Sequence, residues 1–113
     1  MHLRSIHVPV SDIRQGIHFY ADVLKLPLKF QDGDRYAAFD CGDITLALVS
    51  PDDAESQDIA LAIKSTDLWA ALDALQQAGA KLIREPETGG HEIRALLKDP
   101  SGRDLILYQP LEA

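Results

Sequence analysis

The sequence of 113 residues has little of several residue types, and each shortage excludes a class of protein. The single cysteine, Cys41, cannot form an internal disulfide and lacks the paired spacing of zinc sites, so a reducing cytoplasm is the expected location. No apolar run reaches the roughly twenty residues of a membrane span, and the first residues do not read as a signal peptide. We therefore expect a cytoplasmic protein with no membrane partner.

Basic residues are also scarce. Lysine and arginine number 11 against 18 aspartates and glutamates, which gives a net charge of -7. This balance argues against nucleic acid as a partner, because phosphate-backbone binding depends on basic patches. It is more compatible with a neutral or cationic small ligand. The sequence also has no phosphate-cradling glycine loop, no Gly-x-Ser-x-Gly, no His-Glu-x-x-His and no Cys-x-x-Cys.

What the sequence does contain is enough apolar material, 46% hydrophobic residues, for one core in a single domain over residues 1–113. Apolar residues at helical spacing predict one helix after Asp12, with Ile13, Ile17, Tyr20 and Leu24 on its buried stripe, and a second helix after Asp67. The two aspartates are the predicted N-caps. Alternating apolar spacing predicts four strands, over residues 3–10, 43–50, 58–64 and 103–109. The segment KDPSGRD before the last of them predicts a turn, with Pro100 and Gly102 at turn-forming places.

An internal repeat organises these elements. Residues 12–30 match residues 67–85 in type, with an acidic cap, an aliphatic helix face, a helix stop and a short strand. We therefore predict an α+β fold in which two tandem βαβββ units form a curved mixed sheet around a cavity, with the helices on the outer face. The units span about residues 1–51 and 57–113, joined by a polar linker at 51–57.

The alternation of the strands separates an apolar face, on which we place Ile59 with Leu61 and Ile63, from a second face of small and polar residues. On the first strand, the second face holds Ser5 and His7. Its other members are Thr45, Ala47, Val49, Asp58, Ala60, Ala62, Asp104, Ile106 and Tyr108. Such a face is either solvated or curved around a ligand space, and we favour the ligand space because the lysines and glutamates typical of a solvated face are missing.

The segment HVPVSDIRQGIHFYADVLKLPLKF, followed by KDPSGRDLILYQP, resembles the glyoxalase, bleomycin-resistance and dioxygenase superfamily, also called vicinal oxygen chelate proteins. The resemblance covers nearly the whole chain and implies the repeated fold. It leaves the reaction open, because the superfamily includes isomerases, ring-cleaving dioxygenases, thiol transferases and drug-sequestering proteins.

The metal ligands that the resemblance implies are not retained. The family's ligand positions fall on Ser5, Ala47, Ile106 and either Asp58 or Ala60. Serine, alanine and isoleucine do not supply the donors that a divalent ion needs, so we predict no metal and no other cofactor. His7 lies two residues after Ser5 on the same face, and it could rebuild an unusual metal site only together with Asp58 and Asp104.

Two classes of function remain. The interpretation that we favour is a metal-free small-molecule-binding protein that resembles the bleomycin-resistance type of drug-sequestering, antibiotic-resistance protein and works as a homodimer. Its ligand would be cationic or aromatic. The predicted ligand-binding residues are Ser5, His7, Ala47, Asp58, Ala60, Asp104, Ile106 and Tyr108.

The alternative is an enzyme. It would be a glyoxalase-like lyase, isomerase or dioxygenase with a displaced metal site, or a metal-free enzyme in which His7 and Asp104 act as an acid and base pair.

Overall fold

The computed structural model describes residues 1–111 and confirms the α+β fold with two βαβββ copies. The chain forms two compact units. The N-terminal unit comprises Arg4–Ile59, and the C-terminal unit comprises Met1–Leu3 with the residues from Ala60 onward.

The N-terminal unit has a four-stranded mixed sheet in the order β2-β3-β4-β1. Strand β1 pairs with β4 in parallel, and the other neighbours pair antiparallel. The elements are β1 (His2–Pro9), α1 (Ile13–Ile17), a π-helical segment (His18–Val23), β2 (Leu28–Asp32), β3 (Tyr36–Asp40) and β4 (Thr45–Val49).

Helix α1 begins where the sequence predicted, because the Asp12 carboxylate accepts a hydrogen bond from the Gln15 backbone N–H at 3.1 Å. The predicted single α-helix is wrong in its second half. After Ile17 the backbone widens into the π-helical segment, which closes with a bond from Leu24 N–H to the Phe19 carbonyl. Leu24, predicted on the buried stripe, lies beyond this segment and is 50% exposed.

The helical segment packs on one face of the sheet and creates the core of the N-terminal unit. Leu48 and Phe39 are fully buried there, and Ile13 is nearly so. Gly16 permits close approach of helix and strand, because a Cβ at this position would lie 2.9 Å from Leu48 Cδ1.

The C-terminal unit repeats the arrangement with its sheet in the order β5-β8-β7-β6, in which β5 and β8 pair in parallel. Its core forms between α2 and the sheet, with Leu68, Leu97 and Leu107 fully buried. The Asp67 carboxylate caps α2 by accepting from the Ala70 N–H at 3.1 Å, as predicted. The elements are β5 (Ala60–Lys64), α2 (Leu68–Gln77), β6 (Lys81–Thr88), β7 (Glu92–Lys98) and β8 (Asp104–Pro110).

Two further predictions in this half have opposite outcomes. The turn between β7 and β8 forms as expected, with Asp99 accepting from two backbone N–H groups and Gly102 at a φ of +87°. The strand predicted over residues 58–64 begins only at Ala60. Ile59, which we had placed on the apolar face, is instead 59% exposed, because the chain has not yet joined the sheet.

Candidate functional site

Each unit has one sheet face covered by its helix and one opposite face, which we call the helix-free face. In the N-terminal unit, Val8 and Leu48 point to the helical core, so Ser5, His7 and Ala47 lie on the helix-free face. The separation of faces predicted from the alternation of β1 and β4 agrees with this arrangement.

The pairing registers divide the helix-free face into rows that correspond between the units. The middle row of the N-terminal unit contains His7, Ala47 and Ala38, in the order β1, β4, β3. The middle row of the C-terminal unit contains Ala62, Ile106 and Leu96, in the order β5, β8, β7.

The two rows differ in the size of their side chains. In the C-terminal unit, large aliphatic side chains occupy β7 and β8 and pack into an apolar cluster with Ala60, Ala62 and Tyr108. In the N-terminal unit the same two places hold alanines, Ala38 at 3% and Ala47 at 0% exposure, beside a histidine. The helix-free face of the N-terminal unit therefore combines small side chains, which are as buried as their counterparts in the C-terminal unit, with a polar edge, and the polar edge makes it the stronger candidate site.

The polar edge consists of Ser5 and His7. Ser5 Oγ lies 3.0 Å from His7 Nε2, within hydrogen-bonding distance, and both side chains are half-buried. Two residues apart on one strand, they point the same way without any turn in the backbone. A hydroxyl bonded to an imidazole can donate to or accept from a ligand, depending on which partner holds the shared proton.

A lysine reaches the same end of this face. The pairing of β2 with β3 shifts between Leu28 and Phe30, so Lys29 occupies a β-bulge. Its ammonium Nζ donates to Thr45 Oγ1 at 2.5 Å. Thr45 is the register partner of Ser5, so the hydroxyls of the two residues are neighbours on adjacent strands.

An aromatic pair forms the other edge. The rings of Phe30 and Tyr36 are 6.0 Å apart with planes inclined at 56°. Phe30 is the register partner of Ala38, and its side chain is exposed. An exposed aromatic ring beside two alanines offers a contact for an apolar ligand group.

The remaining predicted site residues lie on or next to strands of the C-terminal unit. Ala60, Ile106 and Asp104 are 1%, 4% and 7% exposed, so in this conformation they pack within the C-terminal unit. The Asp104 carboxylate binds the Lys98 ammonium at 2.6 Å across the β7–β8 ladder. Asp58 is exposed just before β5, and its N–H donates to Ser56 Oγ at 3.0 Å. Their role as ligand contacts stays a prediction.

The donors at the family's metal positions do not fit a metal ion. Ser5 engages His7, while Ala47 and Ile106 present buried hydrocarbon. Across residues 1–111, no group of three or more His, Cys, Asp or Glu side chains is arranged so that it could hold a metal ion.

Beyond the site, one carboxylate has a pKa shifted by its partners. The hydrogen bonds from Arg35, and then from Ser50, lower the pKa of Asp53. The same bond, with the charges of Asp53 and Asp32, raises the pKa of Arg35. This exposed pair ties the start of β3 to the loop after β4.

A shallow hollow at the start of α1 is less suited to a ligand. The carboxylate of Asp12, its principal polar group, is already used as the helix cap. The residues that line the hollow are Pro9, Val10, Ser11, Asp12, Gln15, Gly16 and Phe19.

Sequence reasoning missed the residues of β2 and β3 that complete the site, namely Lys29, Phe30, Tyr36 and Ala38. Strand β3 has no alternation of polar and apolar residues, because Ala37, Ala38 and Phe39 are all buried. A signal that could have found them is the internal repeat, since extending it would have aligned β3 with β7.

With this geometry described, comparison with known proteins assigns a family. The family model of the Glyoxalase/Bleomycin resistance protein/Dioxygenase superfamily matches residues 2–106. The chain belongs to this superfamily, as the resemblance in its sequence had implied.

The relatives are diverse. An uncharacterized protein of Mycolicibacterium smegmatis is 33% identical over 111 residues, which cover 97% of this chain and 95% of that protein. Among solved structures, methylmalonyl-CoA epimerase from Mycobacterium tuberculosis has a TM-score of 0.72 at 22% identity, covering 98% of this chain and 89% of that one.

A second solved structure, described as NAD-dependent benzaldehyde dehydrogenase from Legionella pneumophila, has a TM-score of 0.78 at 13% identity. It covers 95% of this chain and 98% of that one. These likenesses concern the fold. Within the described part of the chain, neither helix has the length and apolar character needed to cross a membrane.

Proposed function

We propose that this protein binds a small, partly aromatic molecule without a metal ion, in the manner of the drug-sequestering members of its superfamily. The ligand lies on the helix-free face of the N-terminal unit, between the Ser5–His7 pair and the Phe30–Tyr36 pair. The observation that carries the proposal is the Ser5–His7 hydrogen bond at a position where metal-using relatives place a ligand. At this position, the hydroxyl and the imidazole would form hydrogen bonds with the ligand in place of a metal ion.

The charge of the ligand needs separate treatment. The prediction of a cationic ligand relied on Asp58 and Asp104, and the Asp104 carboxylate already has the Lys98 ammonium as a partner. A carboxylate that is paired in this way attracts an external cation weakly. Of the two carboxylates on which the prediction of a cationic ligand relied, only Asp58 has no ion-pair partner described above. The prediction of an aromatic ligand is supported by the Phe30 and Tyr36 rings as well.

Metal analysis tests the first half of the proposal. The protein is incubated separately with Ni, Zn, Mn and Fe(II), desalted, and assayed by elemental analysis. We expect less than roughly a tenth of an equivalent of every ion, because one imidazole with hydroxyls does not form a stable divalent site. Near one equivalent of any ion that is lost in His7→Ala but kept in His18→Ala would refute metal-free binding.

Ligand screening tests the second half. Compounds that bind the folded protein raise its melting temperature in proportion to RT ln(1 + [L]/Kd). Hits should lose their effect in His7→Ala and in Phe30→Ala. His18→Ala is the matched control. His18 is exposed on the helical segment, and its Nδ1 lies 2.9 Å from the Asp22 carboxylate. Hits that are insensitive to both site variants would place the ligand elsewhere.

A metal-free enzyme is the second candidate, and the same hydrogen bond favours it. An imidazole bonded to a hydroxyl can move a proton to or from a bound substrate, with His7 as acid or base. One structure of this fold is an epimerase, but at 22% identity that likeness concerns the fold. Turnover that follows a titration in the histidine range and disappears in His7→Ala would favour this candidate, whereas unchanged turnover would remove it. Asp104 stays a proposed partner in this reading.

Homodimer formation and a cytoplasmic location are further parts of the proposal. Apolar side chains left exposed on the π-helical segment and just after it support a partner contact, with Phe19 at 48%, Val23 at 57% and Leu24 at 50% exposure. Light scattering coupled to size exclusion should give twice the 12.4 kDa chain mass. A monomer mass would refute the dimer but leave ligand binding intact.

A further inference from the structure

Lys29, in the bulge of β2, has a neutral side-chain partner where other basic residues have a carboxylate. Several other basic side chains form ion pairs with carboxylates. Examples are Arg14–Asp34, Arg35–Asp53, Arg94–Glu92 and Lys98–Asp104. Lys29 instead donates to the neutral hydroxyl of Thr45, and no carboxylate among residues 1–111 lies within ion-pair distance of its Nζ. Its positive charge is held in place by a neutral partner.

The bond to Lys29 also sets what Thr45 can do. Since Thr45 Oγ1 accepts from the ammonium, its own hydroxyl hydrogen is directed elsewhere, toward any acceptor above the face. The ammonium retains two further N–H donors. Ser5 lies beside Thr45 in the register, and when the His7 Nε2 carries the shared proton, the Ser5 hydroxyl is also a donor. In that protonation state, three neighbouring residues at one end of the face supply hydrogen-bond donors.

The nearest acidic residue by register forms no ion pair with Lys29. Asp40 is the partner of Thr45 on β3, and its Oδ1 accepts from the Gly42 N–H at 3.0 Å. The corresponding row of the C-terminal unit shows the contrast. There, Asp104 and Lys98 form an ion pair across the same two strands, and the bulge carries Ile83 in place of a lysine. Of the two units, only the N-terminal one presents a cation without an ion-pair partner at this position.

From this arrangement we infer that the site takes an aromatic carboxylate. The carboxylate oxygens accept from Lys29 and Thr45, with Ser5 as a third donor, in charge-assisted hydrogen bonds. The aromatic ring lies against the exposed Phe30 ring, at the aromatic edge of the face. Adjacent rows on one face are about 6.8 Å apart, which is comparable to the length of a benzoate ion. The inference rests on the proposed binding function and specifies the charge of its ligand.

The test compares three probes of one shape by titration of the backbone amide signals in two-dimensional NMR. The probes are benzoate, neutral benzyl alcohol and cationic benzylamine. We expect benzoate to shift the amides of Ser5, His7 and Thr45, and to bind at least roughly fivefold more tightly than either other probe. Its affinity should fall as salt rises, because Lys29 is exposed.

Variants separate this inference from the proposed function. Lys29→Met, which keeps the aliphatic stem, should remove the preference for benzoate. The matched control is Lys81→Met, an exposed lysine on β6, which should leave that preference unchanged. Equal binding of all three probes at these amides, or a preference for benzylamine, would overturn the carboxylate inference and leave the binding site standing. Failure of every probe to shift these amides would remove the site and the inference together.

Discussion

The contact of α1 with β4 makes a sharp prediction about stability. Replacing Gly16 by alanine favours the helix by about 1 kcal/mol, because glycine is a poor helix former. The new Cβ, however, would lie 2.9 Å from Leu48 Cδ1, against about 3.5–4.0 Å for an ordinary carbon contact. Leu48 is fully buried and cannot relax into solvent, and overpacking of this kind costs about 1–3 kcal/mol. We expect Gly16→Ala to lower the free energy of unfolding by about 1 kcal/mol.

A double-mutant cycle isolates the contact. Leu48→Ala alone should cost about 2–5 kcal/mol, because it leaves a cavity in the core. In that background the contact is gone, so Gly16→Ala should become neutral or stabilising, and the two changes should be coupled by about 1–3 kcal/mol. Gln15→Ala, at an exposed position of the same helix, serves as control.

Urea unfolding followed by circular dichroism measures all four free energies. Gly16→Ala that is as stable as the parent, with no coupling to Leu48, would refute the argument that the helix is pressed against the strand. The result bears on the site as well, since β4 carries Thr45 and Ala47 on its other face.

Three further outcomes follow from single contacts. Ser5→Ala should cost about 0.5–1.5 kcal/mol of unfolding free energy in urea melts, through loss of the bond to His7, and an unchanged midpoint would contradict that bond. Asp67→Ala should cost about 1 kcal/mol by removing the cap of α2, while Asp73→Ala on the same helix should cost clearly less. Asp53→Asn should be less stable than the parent at neutral pH. Because the folded-state pKa of Asp53 is lowered, that deficit should vanish as the pH falls through this pKa, below the ordinary 3.8, and a deficit independent of pH in acid melts would contradict the pair.

Local signals explain what the sequence predicted well. Asp12 and Asp67 cap helices through bonds to residues three positions later, so the interaction is contained in a short stretch of sequence. The faces of β1 and β4 follow from simple alternation, which correctly placed Ser5 and His7 together.

Non-local packing explains the rest. Strand β3 is buried on both faces, so its sequence does not alternate, and Ala38 could not be assigned to a face. Lys29 enters the site through a bulge, which interrupts the parity that would otherwise indicate where a side chain points. The packing of Leu96 against Ile106 depends on the register of β7 with β8, which no single segment encodes.

The bulge in β2 has a consequence for association between chains. Strands β2 and β6 are each an edge strand of their unit's sheet, and each has an interrupted register, with Lys29 in the bulge of β2 and Ile83 followed by Arg84 at the interruption of β6. Irregular edges with charged residues are poor templates for a strand from a second molecule. Self-association by extending the sheet is therefore discouraged at these two edges. A concentrated solution of this protein should resist fibrous aggregation, and any dimer should form through helices or loops.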